Sequence, residues 1–408
     1  MGTCAIVAMA AFLLGSAWQQ NRTPRAAPDT TTLKTPATQP AKPAPAIDTQ
    51  TPTSAPSITG SDSPIVSQSV KADYQPRSAL LIGANEMVLY HQKAFQEIVR
   101  AVYDRVPVIT LVNNDEEADL ARDLIADAGL PDNSIHILQH PLNSMWLRDF
   151  GPIFSRWSDG RLAVVDARYN AESDQNRNRD DDFNASIAQM LGLPLIHMPL
   201  IVEGGNIMFN GDGLLVTTTR VMTREENRHL TPRSIGEIFA KNLGCRSWTF
   251  VRELEGEPTG HVDMFLTFLR RNHVVIGRYD PAYDEVNAGI LDDAARLLAA
   301  EQTSMGPMIV TRMPMPPRSP EGHWRTYCNI LLVNGVLLMP SFSDVDPALE
   351  QEAEDIYSRV LPNWKVVRIP SDSLISKRGL LHCVAIGIPG NVNVRPLLDA
   401  TRHQSAEF

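Results

Sequence analysis

Cys383 sits in the run Leu380-Leu381-His382-Cys383-Val384-Ala385-Ile386, close to the end of the chain. Three segments carrying carboxylates or an imidazole precede it: Trp146-Leu147-Arg148-Asp149-Phe150-Gly151-Pro152, Glu203-Gly204-Gly205-Asn206 and Gly260-His261-Val262-Asp263. One thiol, one imidazole and three acids suit chemistry at a cationic carbon. A thiolate attacks, carboxylates hold the cation, and an imidazole moves protons. Taken singly, each residue has a plainer reading. A free cysteine is commonly core, Asp149 before Gly-Pro can cap a turn, and Glu203 can be a turn residue. A double glycine after an acid also lets backbone approach a ligand closely. His261 and Asp263, two apart, would share one face of a strand. His382, adjacent to Cys383 on an expected strand, would point to the opposite face and so not serve as the working base.

These residues need a frame to bring them together. The 408-residue chain is 43% hydrophobic and 21% charged, the proportions of an ordinary globular protein. Strands are expected at 78–84, 107–112 and 134–139, where short β-branched runs occur. Helices are expected at 85–103 and 115–129, and again from near Asp181, Thr231, Asp280 and Asp346. Hairpins are signalled by Asn210-Gly211 and by Asn334-Gly335 between apolar runs. The fold class is α/β. The repeated order strand-strand-helix-strand points to a ring of similar modules rather than to an open doubly wound sheet. In such a ring, Asp149, Glu203, His261 and Cys383 fall in different modules and meet near the axis.

The remainder of the chain differs in character. Residues 1–17 are a signal-like hydrophobic segment ending in Leu14-Gly15-Ser16-Ala17, although no basic residue precedes Cys4. Residues 18–75, rich in Pro, Thr and Ala, read as a disordered linker that cannot bury enough apolar surface to fold. The catalytic domain is expected at 76–402. Export, whether periplasmic, secreted or anchored at the N-terminus, is the expected location. The formal charge of −10 without a long basic block argues against nucleic acid and anionic membrane as partners. Cys4, Cys245, Cys328 and Cys383 lie far apart, and neither C-x-x-C nor H-E-x-x-H occurs, so no metal site is expected.

Together these motifs resemble the agmatine deiminases and bacterial (Porphyromonas-type) peptidylarginine deiminases of the guanidino-group-modifying, or pentein, superfamily. The resemblance spans about residues 73–396 and includes Tyr327-x-Asn329 and the run Glu226-Asn227-Arg228. It implies a five-bladed α/β propeller, and hydrolysis of a guanidinium C–N bond to a ureido product and ammonia. By that resemblance Cys383 is the nucleophile, His261 the acid and base, and Glu203 the partner of His261. Asp149 and Asp263 bind the guanidinium, with Trp146 and Asn329 also in the substrate site. No cofactor is implied. The partner is a guanidinium-bearing small molecule or peptide. The flanks of Cys383 depart from the agmatine-specific pattern. Arg177 and Arg179 resemble a loop that offers arginine to a substrate carboxylate, which favours peptidyl-arginine over agmatine. The alternatives are an agmatine deiminase of putrescine biosynthesis, a non-catalytic arginine-binding pentein, and an amidinotransferase.

Overall fold

The computed structural model describes residues 70–156, 160–169 and 177–406. The signal-like segment, residues 18–69 of the expected linker and Asn170 and Asn176 of the arginine-bearing loop lie outside the described residues. Eighteen strands occur among the described residues: β1 (Arg77–Gly83), β2 (Val108–Val112), β3 (His136–Gln139), β4 (Ile153–Arg156), β5 (Leu162–Arg168), β6 (Leu195–Ile201), β7 (Met208–Phe209), β8 (Leu214–Thr218), β9 (Ser247–Val251), β10 (Leu266–Arg270), β11 (His273–Arg278), β12 (Gln302–Thr303), β13 (Gly306–Pro307), β14 (Ile309–Pro314), β15 (Leu331–Val333), β16 (Val336–Ser341), β17 (Lys365–Pro370) and β18 (Ala385–Pro389). Apart from the small β12–β13 hairpin, they form five sheets.

Four of the five sheets repeat one pattern. In β4-β5-β6, β7-β8-β9, β10-β11-β14 and β15-β16-β17, the first two strands are antiparallel and the third returns parallel to the second. The parallel return needs a crossover, and helices Phe183–Leu191, Pro232–Leu243, Glu285–Ala299 and Pro347–Val360 supply it. The fifth sheet, β18-β1-β2-β3, joins the two ends of the fold, with β18 antiparallel to β1. The strand-strand-helix-strand reading of the sequence is therefore realised.

Local chemistry explains several boundaries. Thr231 caps the helix Pro232–Leu243 through a reciprocal box with Ser234, and Pro232 begins it. The β15–β16 hairpin turns at Asn334 (φ 40°) and Gly335 (φ 90°), the left-handed pair that a tight two-residue turn requires. Asn334 also accepts from the Arg77 N–H at 2.9 Å, tying this turn to the start of β1.

Apolar clusters join neighbouring sheets. Leu81, Ile109 and Ile388 share a core with Phe154 and Val164, and Val165 and Met198 share one with Leu215 and Phe239. Val216, Val275 and Leu337 lie in a third cluster, while Leu331, Leu338 and Ile369 pack with Leu80 and Ile82 in a fourth.

Two expectations are corrected here. Residues 70–75, assigned to the linker, belong to the folded part: Val70 and Ala72 are buried, and Val70 N–H donates to Leu243 O at 3.4 Å. Asp263 is not on a strand. It lies in a one-turn 3-10 helix, Val262–Met264, with His261 at its start, so the two-residue spacing does not act through a strand face.

Candidate active site

Each chemically suited side chain stands on a turn at a strand end, and these turns are bonded to one another. Asp149 lies in the short helix Leu147–Phe150 between β3 and β4. The Arg148 N–H donates to Cys383 O at 3.0 Å, joining this turn to that of the thiol. Gly204 packs directly on the same turn, since a Cβ there would lie 2.1 Å from Arg148 O. Asn206 Oδ1 accepts from Thr218 N–H at 3.0 Å and from Val262 N–H at 3.2 Å. That pair of bonds locks the Glu203 turn to the His261 turn.

Gly205 marks the meeting point. A Cβ built on it would stand 2.6 Å from His261 Nδ1, 2.9 Å from Asp149 Oδ1 and 3.2 Å from Asp263 Oδ2. Only a residue without a side chain permits these three groups to converge. Cys383 lies in the turn preceding β18, not on the strand itself, and its N–H donates to Leu380 O at 3.2 Å. Asn329 Nδ2 lies 3.5 Å from Cys383 Sγ, and Asn329 Oδ1 accepts from His382 N–H at 2.8 Å. Asn329 thus holds both the thiol and its turn.

Burial and crowded charge separate the protonation states. Burial would lower the His261 pKa, but the charge of Asp149 and the bond and charge of Glu203 outweigh it and raise it to about 10. Burial would raise the Glu203 pKa. The imidazole 2.6 Å away and the Arg224 guanidinium at 2.7 Å instead hold it near 2. Asp149 is pushed up to about 7, first by burial, then by the Glu203 and Asp263 charges, against the pull of His261 and Arg148. Cys383 is pushed well up by burial and by the Asp263 and Asp149 carboxylates. The thiol therefore stays protonated until a cation offsets those carboxylates. Cys245 and Cys328 are raised to about 12 chiefly by burial and behave as core thiols.

Asp149 Oδ1 and Asp263 Oδ1 are buried acceptors with no hydrogen-bond partner among the described residues. Two such carboxylate oxygens beside a thiol fit a planar cation with several N–H donors. The remaining expected residues stand at varying distance from this centre. Trp146 begins the Asp149 turn and packs on Gly379, where a Cβ would meet its ring at 2.1 Å. Arg177 pairs with Asp180 at 3.4 Å and lies 6.0 Å from the Tyr169 ring centroid. Tyr169 packs in turn on Phe150, so Arg177 is one ring removed from the Asp149 turn. Arg179 is exposed and is tied through its backbone N–H to Asn143 at 3.0 Å.

Three residues of the site escaped sequence reasoning. Arg224 is buried against Glu203, yet nothing in Thr223-Arg224-Glu225 distinguishes it from a surface arginine. Asp73 sits within the stretch read as linker. His382 was expected to face away from the site, but its Nδ1 lies 2.7 Å from Asp263 Oδ2. Residues 381–384 form a turn, so neighbouring side chains there do not alternate between two faces as they would on a strand.

Comparison with known proteins accords with this architecture. The sequence model of the Porphyromonas-type peptidyl-arginine deiminase family matches residues 82–389. The chain belongs to that family. Among curated proteins it is 27% identical over 329 residues to an agmatine deiminase of Ectopseudomonas mendocina, covering 72% of this chain and 86% of the relative. It is 26% identical over 333 residues to one of Pseudomonas putida, covering 74% and 88%. A C. jejuni agmatine deiminase solved with substrate bound superposes with a TM-score of 0.68 at 19% identity, over 80% of this chain and 97% of that one. An Enterococcus faecalis agmatine deiminase gives 0.68 at 18% identity, over 79% and 96%. At those identities the structural likeness is one of fold, the mixed α/β pentein fold.

Proposed function

We propose that this protein is a guanidine deiminase, a hydrolase of C–N bonds in linear amidines. The observation that carries the reading is a pair of buried carboxylate oxygens without a hydrogen bond among the described residues, Asp149 Oδ1 (3.7 Å from His261 Nδ1) and Asp263 Oδ1, beside the Cys383 thiol and the Glu203–His261 pair. A guanidinium bound by the two carboxylates neutralises the charge that keeps the thiol protonated. The thiol gives its proton to water as the cation binds, and the thiolate then attacks the central carbon. The imidazolium of His261 gives its proton to the departing amine, which leaves as ammonia, and an S-alkylthiouronium remains on Cys383. His261, now neutral, takes a proton from water as the water adds to that carbon. Collapse expels the thiolate and releases the ureido product. Glu203, held by Arg224, keeps the imidazole oriented through both proton transfers.

Five sheets of related topology, with neighbouring sheets joined by shared cores, support a five-bladed α/β propeller with this site near its axis. We infer a peptide ending in arginine as the substrate, so that the reaction is a citrullination. Arg177, stacked over Tyr169 beside the Asp149 turn, supports this as an anchor for the terminal carboxylate. The curated relatives named above act on agmatine by their names, and agmatine is the competing substrate. Export belongs to the same proposal and rests on residues 1–17; cell fractionation checks it.

Incubation with agmatine and with a peptide ending in arginine is expected to release ammonia and form a ureido group, faster on the peptide. Cys383→Ser is expected to lower turnover by several orders of magnitude, because a hydroxyl is a far weaker nucleophile at neutral pH. Ammonia from no guanidinium compound would overturn the enzymatic reading. Near-normal activity of the serine variant would remove Cys383 from the mechanism.

A further inference from the structure

Behind the carboxylate Asp263 lies a second layer of charge that the reaction as described does not use. His382 is buried, with Nδ1 at 2.7 Å from Asp263 Oδ2 and Nε2 at 3.3 Å from Asp73 Oδ2. Both ring nitrogens thus face carboxylates, and an imidazole can donate to both only as the doubly protonated cation. Asp73 is itself fixed from its other oxygen: Arg77 Nη2 and Arg148 Nη2 each lie 3.1 Å from Asp73 Oδ1. Arg77 opens β1, and Arg148 is the neighbour of Asp149. The carboxylate is held in one rotamer by two guanidiniums, leaving Oδ2 for the imidazole.

Resting on the deiminase reading, we propose that Asp73 and His382 are positioning residues that clamp Asp263 for the substrate cation. With Oδ2 engaged by His382, the Asp263 carboxylate cannot rotate, and Oδ1 stays turned toward the bound guanidinium. Asp263 Oδ1 is the oxygen that lacks a partner among the described residues, as this arrangement requires. A carboxylate fixed before the substrate arrives loses less entropy on binding than one that must be ordered. Asp73 precedes residues 82–389, which the family model matches. The segment before β1 is in this view part of the active site.

The test separates cation recognition from simple integrity of the fold. Cys383 in the full-length protein is alkylated with chloroacetamidine, a cationic amidine, and with chloroacetamide, its neutral counterpart, and the modified cysteine is assigned by peptide mapping. Wild type, Asp73→Asn and His382→Gln are compared, with thermal melts alongside. In both variants the chloroacetamidine rate is expected to fall about tenfold, the scale of one charge-assisted hydrogen bond, with the chloroacetamide rate within about twofold of wild type. Asp73→Asn is the more stringent variant because residue 73 is remote from the Cys383 turn in the chain. An unchanged ratio of the two rates in Asp73→Asn overturns the proposal, as does a wild-type ratio near one. Equal slowing of both reagents overturns it too, since that reports a displaced thiol. Ammonia release by the wild type is measured in parallel. Its absence counts against the deiminase reading, while the alkylation ratio still decides the clamp.

Discussion

Three carboxylates crowd one imidazole in this site, and the surroundings of Glu203 and Asp149 push those two to different protonation states. Glu203, with two cationic partners, titrates near 2, while Asp149, buried among like charges, titrates near 7. The acid lowered to about 2 stabilises the fold above its unfolded pKa of about 4.3, and that contribution is lost as pH falls through 2. His261, raised to about 10, contributes fully below its unfolded pKa of about 6.5 and loses the contribution as pH rises through 10. These two describe one ion pair seen from its two partners, so they are not to be added. Removing the negative charge in Glu203→Gln is expected to shift the alkaline limb of the pH–rate profile downward. Measuring kcat/KM between pH 6 and 10 checks this, and an unmoved limb would separate Glu203 from His261. Asp149 has the opposite sign for an acid: its protonated form favours folding, and that benefit disappears as pH rises from about 4 through 7. Asp149→Asn is therefore expected to raise the melting temperature at pH 8 but little at pH 4, while abolishing turnover. Equal shifts at both pH values would contradict the placement of that charge.

At the scale of elements, the site is a set of turns held by polar residues that are not themselves reactive. Asn227 illustrates the arrangement. Its side chain donates to Ile201 O at 2.7 Å and Val221 O at 2.9 Å, and accepts from Ile201 N–H at 3.2 Å, pinning the end of β6 just before Glu203. Asn227→Ala leaves these buried groups unpaired and is expected to cost about 2–3 kcal/mol of stability. Urea denaturation measures that loss; a change below about 0.5 kcal/mol would show that the β6 end is held by other means. Gly205→Ala is expected to act differently. Its Cβ would press on His261, Asp149 and Asp263 at once, so turnover should fall by about two orders of magnitude or more. A wild-type rate in that variant would mean that the three groups do not converge on Gly205. The sequence made the Glu-Gly-Gly turn legible because the glycines have no other evident use. Asp263 in its 3-10 turn and His382 in its turn were misplaced because a strand was assumed where the chain bends.

The whole molecule is assembled by sharing cores between sheets, and its edge includes more chain than the composition suggested. Val70 enters the cluster of Phe209, Leu215 and Phe239, and Asp73 reaches His382. A protein beginning at residue 70 is thus expected to keep the melting temperature and activity of the longer chain. One beginning at residue 77 is expected to lose both Val70 packing and the Asp73 carboxylate, with a lower melting temperature and a lower kcat/KM. Parallel melts and kinetics on the two truncations check this, and equal behaviour of the pair would confine the functional fold to residues after 76. Composition misled at this boundary for a physical reason. Lys71-Ala72-Asp73-Tyr74-Gln75 resembles the polar tract before it, and its order comes from distant partners: Tyr74 Oη donates to Asn210 O at 2.8 Å, and Asp73 meets Arg148 in the Asp149 turn and His382 before β18.

By itself the sequence determined the residue types and their order: one thiol, one imidazole and three acids, each beside glycine or a turn, on repeated strand-strand-helix-strand modules. Local periodicity and turn chemistry act between near neighbours in the chain, so those features were readable there. Tertiary structure alone decided which oxygens of Asp149 and Asp263 lack a hydrogen bond, that Arg224 is buried against Glu203, and that His382 turns inward to meet Asp263 and Asp73. Those outcomes depend on contacts between segments dozens to hundreds of residues apart, through charges whose strength is set by burial.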